Sequence, residues 1–299
     1  MMVKMMKTMI SRFRLQSSAF SRTDEEIKVP PKRMIILSVE GDQTERRYFE
    51  HLNDHLDNSI IKVEVLRHRK GDGYSDPQYV IELLNEYKDL REGDLIPEDL
   101  PSTLLETYSK EFISRYLENP DSITSADYKR FKEELILVGI DIEYRKYLKI
   151  FTNENDLFGV IIDRDCDSHS KELMERCISI CDQKGYSCYV SNPCFEFWLL
   201  LHLCDVKSEF SQEQLQELLV NKKVSNNHTT TSLEVSNRAR HGKDINKKVF
   251  DSKYYPNIAN ALIHAKEFEG ELPQLLDSLG TNIPQLMNIL GYSVKQSND

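Results

Sequence analysis

The sequence lacks several features that would assign it to a specialised class of protein. No apolar run approaches the roughly 18 residues of a membrane-spanning helix, and the longest, "FWLLLHL", is interrupted by His202. Only 11 glycines and 10 prolines occur, and no fixed-period repeat is present. These absences argue against a membrane protein, a low-complexity chain and a solenoid, and they favour an ordinary globular protein.

Cysteine motifs and a nucleotide-binding loop are also missing. All six cysteines lie between Cys166 and Cys204, and they form no C-x-x-C pair of the kind that binds zinc. The first residues lack the continuous apolar region of a secretory signal, so we expect buried free thiols and a cytoplasmic protein. The G-x-x-x-x-G-K-[ST] loop, which binds the phosphates of ATP or GTP, does not occur. Any ATPase that acts together with this protein must therefore be another chain.

The charge is acidic overall but basic in three segments. A formal net charge of −10 argues against a surface that binds nucleic acid everywhere. Residues 1–33 carry eight Lys or Arg against three acids, residues 235–253 carry six against two, and "RHRKGDG" forms a third cluster. Such patches suit an enzyme that acts on phosphodiesters and must meet the phosphates locally, but many solvated helices show them too. We interpret residues 1–30 as a basic, weakly ordered arm.

Apolar strands and amphipathic helices alternate in two parts of the chain. The strands "RMIILSVEG" and "IIKVEVLRH" are each followed by a helix, one with Thr44 as N-cap and one that starts at Asp76 and Pro77. The alternation resumes with strand "LFGVIID", a helix closed by Gly185, strand "YSCYVS" and an apolar helix. For this last helix we expect Asn192 as cap and Pro193 at the first position. The alternation predicts an α/β fold with a parallel sheet flanked by helices.

The same pattern divides the chain into expected domains. We expect an α/β domain over residues 33–205. The highly charged segment 91–150 has no convincing strand, so we interpret it as a helical insertion in that domain. After residue 205 the pattern is helical, which predicts a small C-terminal helical subdomain over residues 206–299.

Acidic residues stand where the predicted strands end. Glu40 follows the first strand, and Asp163, Asp165 and Asp167 follow the third. Ligands of α/β sheets bind outside the carboxyl ends of the strands, and residues two apart in an extended chain face the same way. Crowded carboxylates repel unless a cation neutralises them, and Mg²⁺ prefers oxygen ligands. The pattern therefore predicts a Mg²⁺ or Mn²⁺ site suited to phosphoryl chemistry.

Other acidic motifs fit the stretch "DRDCDSHS" less well. A calcium-binding EF-hand loop that starts at Asp163 would need glycine and glutamate where Ser168 and Met174 stand. A haloacid-dehalogenase phosphatase carries D-x-D at its first strand and leaves Glu40 unexplained. No feature of the sequence supports a nucleotide-sugar transferase, which also carries a D-x-D motif. Helix capping accounts for Asp167, which we expect to begin the next helix, but poorly for three acids.

Three motifs together carry a family resemblance: "ILSVEGDQTERRYFE", "IIDRDCD" and "SNPCFEFWLLLHL". A strand followed by Glu-Gly, and a later strand followed by Asp-x-Asp, resemble the Toprim catalytic fold of topoisomerases, bacterial primases and OLD-type nucleases. The three motifs resemble, more specifically, the RloB-like family of bacterial defence proteins over roughly residues 33–205. In the C-terminal part only "HGKDINKKVFDSKYY" and the helix after it add to the resemblance.

The resemblance implies a role for each acidic residue. It makes Glu40 a general acid/base or a metal ligand, and it makes Asp163 and Asp165 ligands of the divalent metal. Glu45 corresponds to a residue that serves a second metal, and its alternative is a charge at a helix N-terminus. Asp167 is a further candidate ligand.

The third motif and the basic segments add candidates of a different kind. Glu196 either enters the site or braces its helix, while Trp198 and His202 are expected in the core. Candidate nucleic-acid contacts are Arg67, Arg69, Lys70, Lys243 and Lys247. A solvated basic face explains the lysines equally well.

The resemblance implies a Mg²⁺- or Mn²⁺-dependent Toprim endonuclease that hydrolyses phosphodiester bonds in DNA or RNA, with tRNA among the candidates. It further implies an antiphage, abortive-infection effector with a separately encoded ABC-type ATPase partner and no membrane association. Two alternatives remain open. One is a non-catalytic Toprim-like module that binds a nucleotide or a protein, and the other is a different phosphotransfer enzyme, such as a primase or phosphatase.

Overall fold

A computed structural model of the chain describes residues 31–41, 43–66, 76–119, 126–138, 140–150, 152–240 and 245–293. They belong to two compact units. The sheet unit comprises the described residues of 31–66, 73–81 and 155–299, and the helical unit those of 82–154.

The sheet unit is built on five strands, which are β1 (Arg33–Val39), β2 (Ile61–Val65), β3 (Leu157–Asp163), β4 (Ser187–Asn192) and β5 (Gly280–Thr281). Their order in the sheet is β2-β1-β3-β4-β5. The first four strands run parallel, and β5 is antiparallel to β4. The predicted α/β class is confirmed. Strand β5 was not expected, because two residues are too short to show an alternating pattern.

The α-helices of the described residues are α1 (Thr44–Asn53), α2 (Pro77–Glu92), α3 (Ser102–Thr107), α4 (Lys110–Glu118), α5 (Ala126–Leu137), α6 (Ile142–Ile150), α7 (Lys171–Lys184), α8 (Phe195–Leu203), α9 (Val206–Glu209), α10 (Gln212–Val220), α11 (Thr230–Ala239), α12 (Lys247–Val249), α13 (Ile258–Ala265) and α14 (Ile283–Ile289). A π-helix over Phe250–Tyr254 and short 3₁₀ turns, one of them Gln274–Leu276, connect the later helices.

Local capping signals predicted some helix ends correctly. The Asp76 carboxylate accepts a hydrogen bond from the Gln78 N–H at 2.8 Å, which starts α2. Helix α7 ends at Gly185, whose φ of 69° places it in the left-handed region that glycine tolerates. These ends depend on residues next to the helix in sequence, so the sequence contains the signal.

Three predicted helix starts were wrong, those of α1, α7 and α8. Thr44 is the first residue of α1 and Gln43 precedes it as N-cap. Helix α7 begins at Lys171, with Ser170 as N-cap, so Asp167 lies in the turn before it and does not begin it.

The start of α8 also differs from the prediction. Asn192 is the last residue of β4 and does not cap the helix, and Pro193 is not its first residue. The helix begins at Phe195, after Cys194, because the strand continues further than its apolar residues indicated.

Helix α8 is the centre of the core of the sheet unit. Seven of its nine residues are buried, and Glu196 is its one acidic residue. The helix contacts β4, α11 and α13. A helix that is apolar all round requires partners on all sides, so the helices after residue 205 complete the core of the sheet unit.

The cysteines are free thiols, as predicted. Cys177, Cys181, Cys194 and Cys204 are buried and Cys188 is partly buried, but Cys166 is exposed, so the expectation of burial was wrong there. Cys166 lies in the turn that follows β3, where no core packs against it.

The helical unit has a hydrophobic core of its own. Phe131 of α5 is fully buried and packs edge-to-face against Tyr108, Phe112 and Tyr116. Its regular elements within the described part of residues 91–150 are helices, in agreement with the absence of a strand pattern.

Candidate functional site

The candidate site lies at the carboxyl ends of β1 and β3. These strands are neighbours in the sheet, and the chain proceeds from β1 to β2 on one side and from β3 to β4 on the other. The direction of winding therefore reverses between them, and α/β proteins bind ligands at such a point. Glu40 immediately follows β1, and Asp163 is the last residue of β3.

A hydrogen bond between side chain and backbone joins the two strand ends. The Asp163 N–H donates to Glu40 Oε2 at 3.0 Å, and the Glu40 N–H donates to the Ile161 carbonyl at 3.1 Å. The second bond extends the ladder of parallel strands by one residue. Glu40 is thus held by both its backbone and its carboxyl group, and its side chain is only 10% exposed.

The Glu40 carboxyl is surrounded by other acids. Burial raises its pKa to about 9, the bond from the Asp163 N–H opposes this, and the negative charges of Glu45, Asp165 and Asp76 raise the pKa further. Without a cation, this carboxyl therefore keeps its proton at neutral pH. We call Glu40, Glu45, Asp76, Asp163, Asp165 and Glu196 the acidic cluster.

Asp163 links the acidic cluster to the core helix α8. Its Oδ1 accepts the Phe195 N–H at 2.9 Å, so it caps α8 from another strand, where Cys194 supplies no side-chain cap. Burial raises the pKa of Asp163 well above its usual range, and the charges of Glu45, Glu40 and Glu196 add to this effect.

Glu45 lies in the first turn of α1 and is only 4% exposed. Its Oε1 accepts the Gly41 N–H at 3.2 Å, and a Cβ on Gly41 would overlap its carboxylate. Its charge acts on both Glu40 and Asp163. The structure therefore brings Glu45 into the acidic cluster, where it does more than supply a charge to a helix end.

Asp165 and Asp167 have different positions in the turn after β3. The Asp165 N–H donates to the Pro193 carbonyl at 2.9 Å, its carbonyl accepts the His169 N–H at 2.8 Å, and its charge acts on Glu40. Asp167 is exposed in this turn, and its charge is not among the largest that shift the pKa of Glu40 or Asp163. The two acids are therefore not equivalent.

The third motif contributes one residue to the cluster and several to the core. Glu196 is half-buried, and its charge raises the pKa of Asp163, which places it beside the site. Asn192 is fully buried, and its Nδ2 donates to the Leu275 carbonyl at 2.9 Å. Trp198 and His202 are buried in the core, as expected.

His169 belongs to the site although no sequence argument selected it. Its ring is 6% exposed, its Nδ1 lies 3.1 Å from the Asp163 carbonyl oxygen, and its Nε2 lies 3.6 Å from Glu40 Oε1. The one signal in the sequence is an imidazole six residues after Asp163. Only the turn at Asp165, which reverses the chain, brings it back to the strand end.

The basic candidates lie away from these contacts or outside the described residues. Arg67, Arg69, Lys70 and Lys243 fall in the second group. Lys247 forms ion pairs with Asp54 at 2.7 Å and with Asp251 at 3.9 Å, so two acids balance its charge. Contact of these five residues with nucleic acid stays a prediction.

Two observations bear on the predicted metal site, one against it and one in its favour. Within the described ranges, no group of three or more His, Cys, Asp or Glu side chains is arranged to hold a metal ion. The donor chemistry nevertheless fits a hard divalent cation, because the acidic cluster consists of carboxylate oxygens whose mutual repulsion a cation would relieve.

A family model described as RloB-like protein matches residues 35–290. The chain belongs to the RloB-like family. The match includes the whole acidic cluster and continues far beyond residue 205, so the resemblance extends further toward the C-terminus than expected. Comparisons with curated proteins and with solved structures gave no match. None of the helices in the described ranges combines the length and the hydrophobicity that crossing a bilayer requires.

Proposed function

We propose that this RloB-like protein is a divalent-metal-dependent nuclease with a Toprim-type site, which hydrolyses phosphodiester bonds in DNA or RNA. The acidic cluster at the point where the winding of the sheet reverses is the observation that supports this function most. It concentrates buried carboxyls where an α/β sheet binds ligands. Membership of the family is compatible with this activity.

Four carboxyls would hold the cation: Glu40, Asp163, Asp165 and Glu45. Mg²⁺ or Mn²⁺ bound there would supply a Lewis acid that lowers the pKa of water and offsets charge on the phosphate. Glu196, beside Asp163, lies at the edge of this group and adds to its negative charge.

The residues of the chain itself orient the ligands and carry a proton while no cation is bound. Because Glu40 Oε2 accepts the Asp163 N–H, the proton that Glu40 keeps at neutral pH in the cation-free site resides on Oε1. Binding of the cation would displace this proton and leave Oε1 as a ligand. Asp163, fixed by the Phe195 N–H, cannot turn away from the strand end without uncapping α8.

We extend the proposal to antiphage defence by abortive infection, with a separately encoded ABC-type ATPase as partner. The resemblance of the three motifs to bacterial defence proteins supports it.

One observation favours a second candidate, a non-catalytic Toprim-like module that binds a nucleotide or a protein. The described residues contain no preformed group of three metal ligands. In that case the raised pKa of Glu40 would leave its carboxyl uncharged without a metal.

Incubation of the protein with Mg²⁺ or Mn²⁺ and a mixture of DNA, total RNA and tRNA tests the nuclease. We expect cleavage by the wild type and its loss in Glu40→Gln and Asp163→Asn, where the amide of Asn still accepts the Phe195 N–H. Glu175→Gln, on the exposed side of α7, is the matched control and should cleave normally. Equal cleavage by all four proteins would refute the assigned site.

A further inference from the structure

The orientation of the His169 ring determines which of its nitrogens is free. The Asp163 carbonyl oxygen, 3.1 Å from Nδ1, can only accept a hydrogen bond, so Nδ1 carries a proton. In the neutral ring Nε2 then presents a lone pair. Histidines that bind metals show this arrangement, in which the second nitrogen donates to a backbone carbonyl or a carboxylate.

The lone pair of Nε2 faces one particular oxygen. Glu40 Oε1 lies 3.6 Å away, which is beyond hydrogen-bond distance, while Glu40 Oε2 is held by the Asp163 N–H. Asp163 thus fixes both side chains through its backbone, the imidazole by its carbonyl and the carboxyl by its N–H. One nitrogen and one oxygen are left facing each other.

The turn that carries His169 is held at several points. The Arg164 guanidinium donates to the His169 carbonyl and, at 2.8 Å, to the Leu276 carbonyl. Asp165 adopts a φ of 25°, which is uncommon for a residue with a side chain. This backbone conformation of Asp165 directs the His169 ring toward Glu40.

We propose that His169 Nε2 and Glu40 Oε1 bind the divalent cation together, so that the site prefers Mn²⁺ to Mg²⁺. Two donors that are each about 2.1 Å from one ion can be at most about 4.2 Å apart, so the observed 3.6 Å suits a shared ion. Water and other members of the acidic cluster complete the shell, as is usual for such ions. Imidazole favours transition metals, whereas an all-oxygen site suits Mg²⁺. This inference rests on the proposed metal-dependent function.

Metal affinity, measured on the full-length protein without substrate, tests the nitrogen ligand. We expect His169→Gln to weaken Mn²⁺ binding at least tenfold and Mg²⁺ binding less than threefold. An imidazole ligand strengthens the binding of Mn²⁺ much more than that of Mg²⁺. His264→Gln is the control, since that ring also bonds a backbone carbonyl, Leu201 at 2.8 Å, but lies on α13. It should change neither affinity.

Pulsed EPR of bound Mn²⁺ gives a second test, because it detects the ligand nucleus directly. We expect modulation from a directly bonded ¹⁴N nucleus, and its loss in His169→Gln. Absence of nitrogen coupling in the wild type, or equal weakening of both metals in the variant, overturns the inference.

The outcomes also separate this inference from the proposed function. If Glu40→Gln abolishes Mn²⁺ binding while His169→Gln leaves it intact, the carboxylate site stands and the nitrogen ligand is refuted. If the wild type binds neither metal, both the nuclease and the inference fail.

Discussion

A buried carboxyl such as Glu40 destabilises the fold that contains it as long as no cation is bound. Its side chain is 10% exposed, and three other carboxyls repel it. Folding must therefore either neutralise this group or bury its charge, and both cost free energy. Such costs are typical of residues retained for function and not for stability.

We expect Glu40→Gln to be more stable than the wild type when no metal is present, because the amide has the same shape and is neutral without the proton that the carboxyl must take up on folding. Each 1 kcal/mol gained should raise the Tm by about 2–4 °C. Mn²⁺ should raise the Tm of the wild type and not that of the variant. Thermal denaturation with EDTA and with Mn²⁺ measures both effects, and a variant less stable than the wild type in EDTA contradicts the prediction.

His202 makes the fold sensitive to acid. Burial lowers its pKa to about 3, and its ring lies between the Tyr48 hydroxyl, at 3.1 Å, and the Trp198 carbonyl, at 2.9 Å. In the unfolded chain its pKa returns to 6.5. Between these values the unfolded state binds more protons, so the contribution to stability is complete above pH 6.5 and declines as the pH falls below it.

Replacement of His202 by glutamine should remove this part of the pH dependence. Between pH 7.5 and pH 5 we expect the free energy of unfolding of the wild type to fall by about 2 kcal/mol more than that of His202→Gln. Urea denaturation at both pH values measures the difference. Tyr48→Phe is the control, because it loses a hydrogen bond but keeps the imidazole. Identical pH dependence in wild type and His202→Gln would count against the prediction.

Strand β5 depends on a close approach of two backbone segments. A Cβ on Gly280 would overlap the Glu269 carbonyl oxygen, whereas a Cβ on Gly270 would lie at an ordinary distance from its nearest neighbour, the Thr281 carbonyl oxygen, 3.7 Å away. The Glu269 backbone is bound to this strand through the Thr281 N–H, at 3.0 Å. Only a glycine fits at position 280 without a shift of the backbone.

We expect Gly280→Ala to lower the free energy of unfolding by about 1–3 kcal/mol or more, since the strand must move away from Glu269. Gly270→Ala, on the facing segment, should change it by less than about 1 kcal/mol. Urea denaturation of the two variants is the measurement. The prediction is wrong if the two substitutions cost the same.

Elements whose signals are local could be predicted from the sequence, and elements defined by distant partners could not. The four parallel strands and the cap of α2 follow from patterns within a few residues. The cap of α8 comes from Asp163, 32 residues away, and therefore left no local signal. Strand β5 and the position of His169 also left no local signal. The turn at Asp165 brings His169 back to the end of β3.

The helical unit should lose stability through its own core. Phe131→Ala removes a fully buried ring among three aromatic neighbours, and we expect a cost of about 3–5 kcal/mol. Hydrogen exchange should then show faster exchange in α3, α4 and α5. Leu137→Ala, on the same helix α5 but with an 84% exposed side chain, is the control and should leave exchange unchanged. Faster exchange confined to the strands would contradict this assignment.

At the scale of the whole chain, strand–helix alternation was enough to predict the α/β class and an edge of the sheet lined with acids. It was not enough to predict how the helices after residue 205 are used. Their amphipathic pattern shows that they have an apolar face, but not that this face packs on α8. Similarly, the pattern placed Glu40 and Asp163 at strand ends, while their hydrogen bond depends on β1 and β3 being neighbours.

The hydrogen bond between Glu40 and the Asp163 backbone also determines when the proposed site can form during synthesis of the chain. Its partners are 123 positions apart in the sequence. At a synthesis rate of about 5–20 residues per second, Asp163 is added roughly 6–25 s after Glu40. Throughout that interval the growing chain holds one half of the proposed site and no means of assembling the other. A ribosome that stops before β3 therefore releases a fragment without the proposed activity.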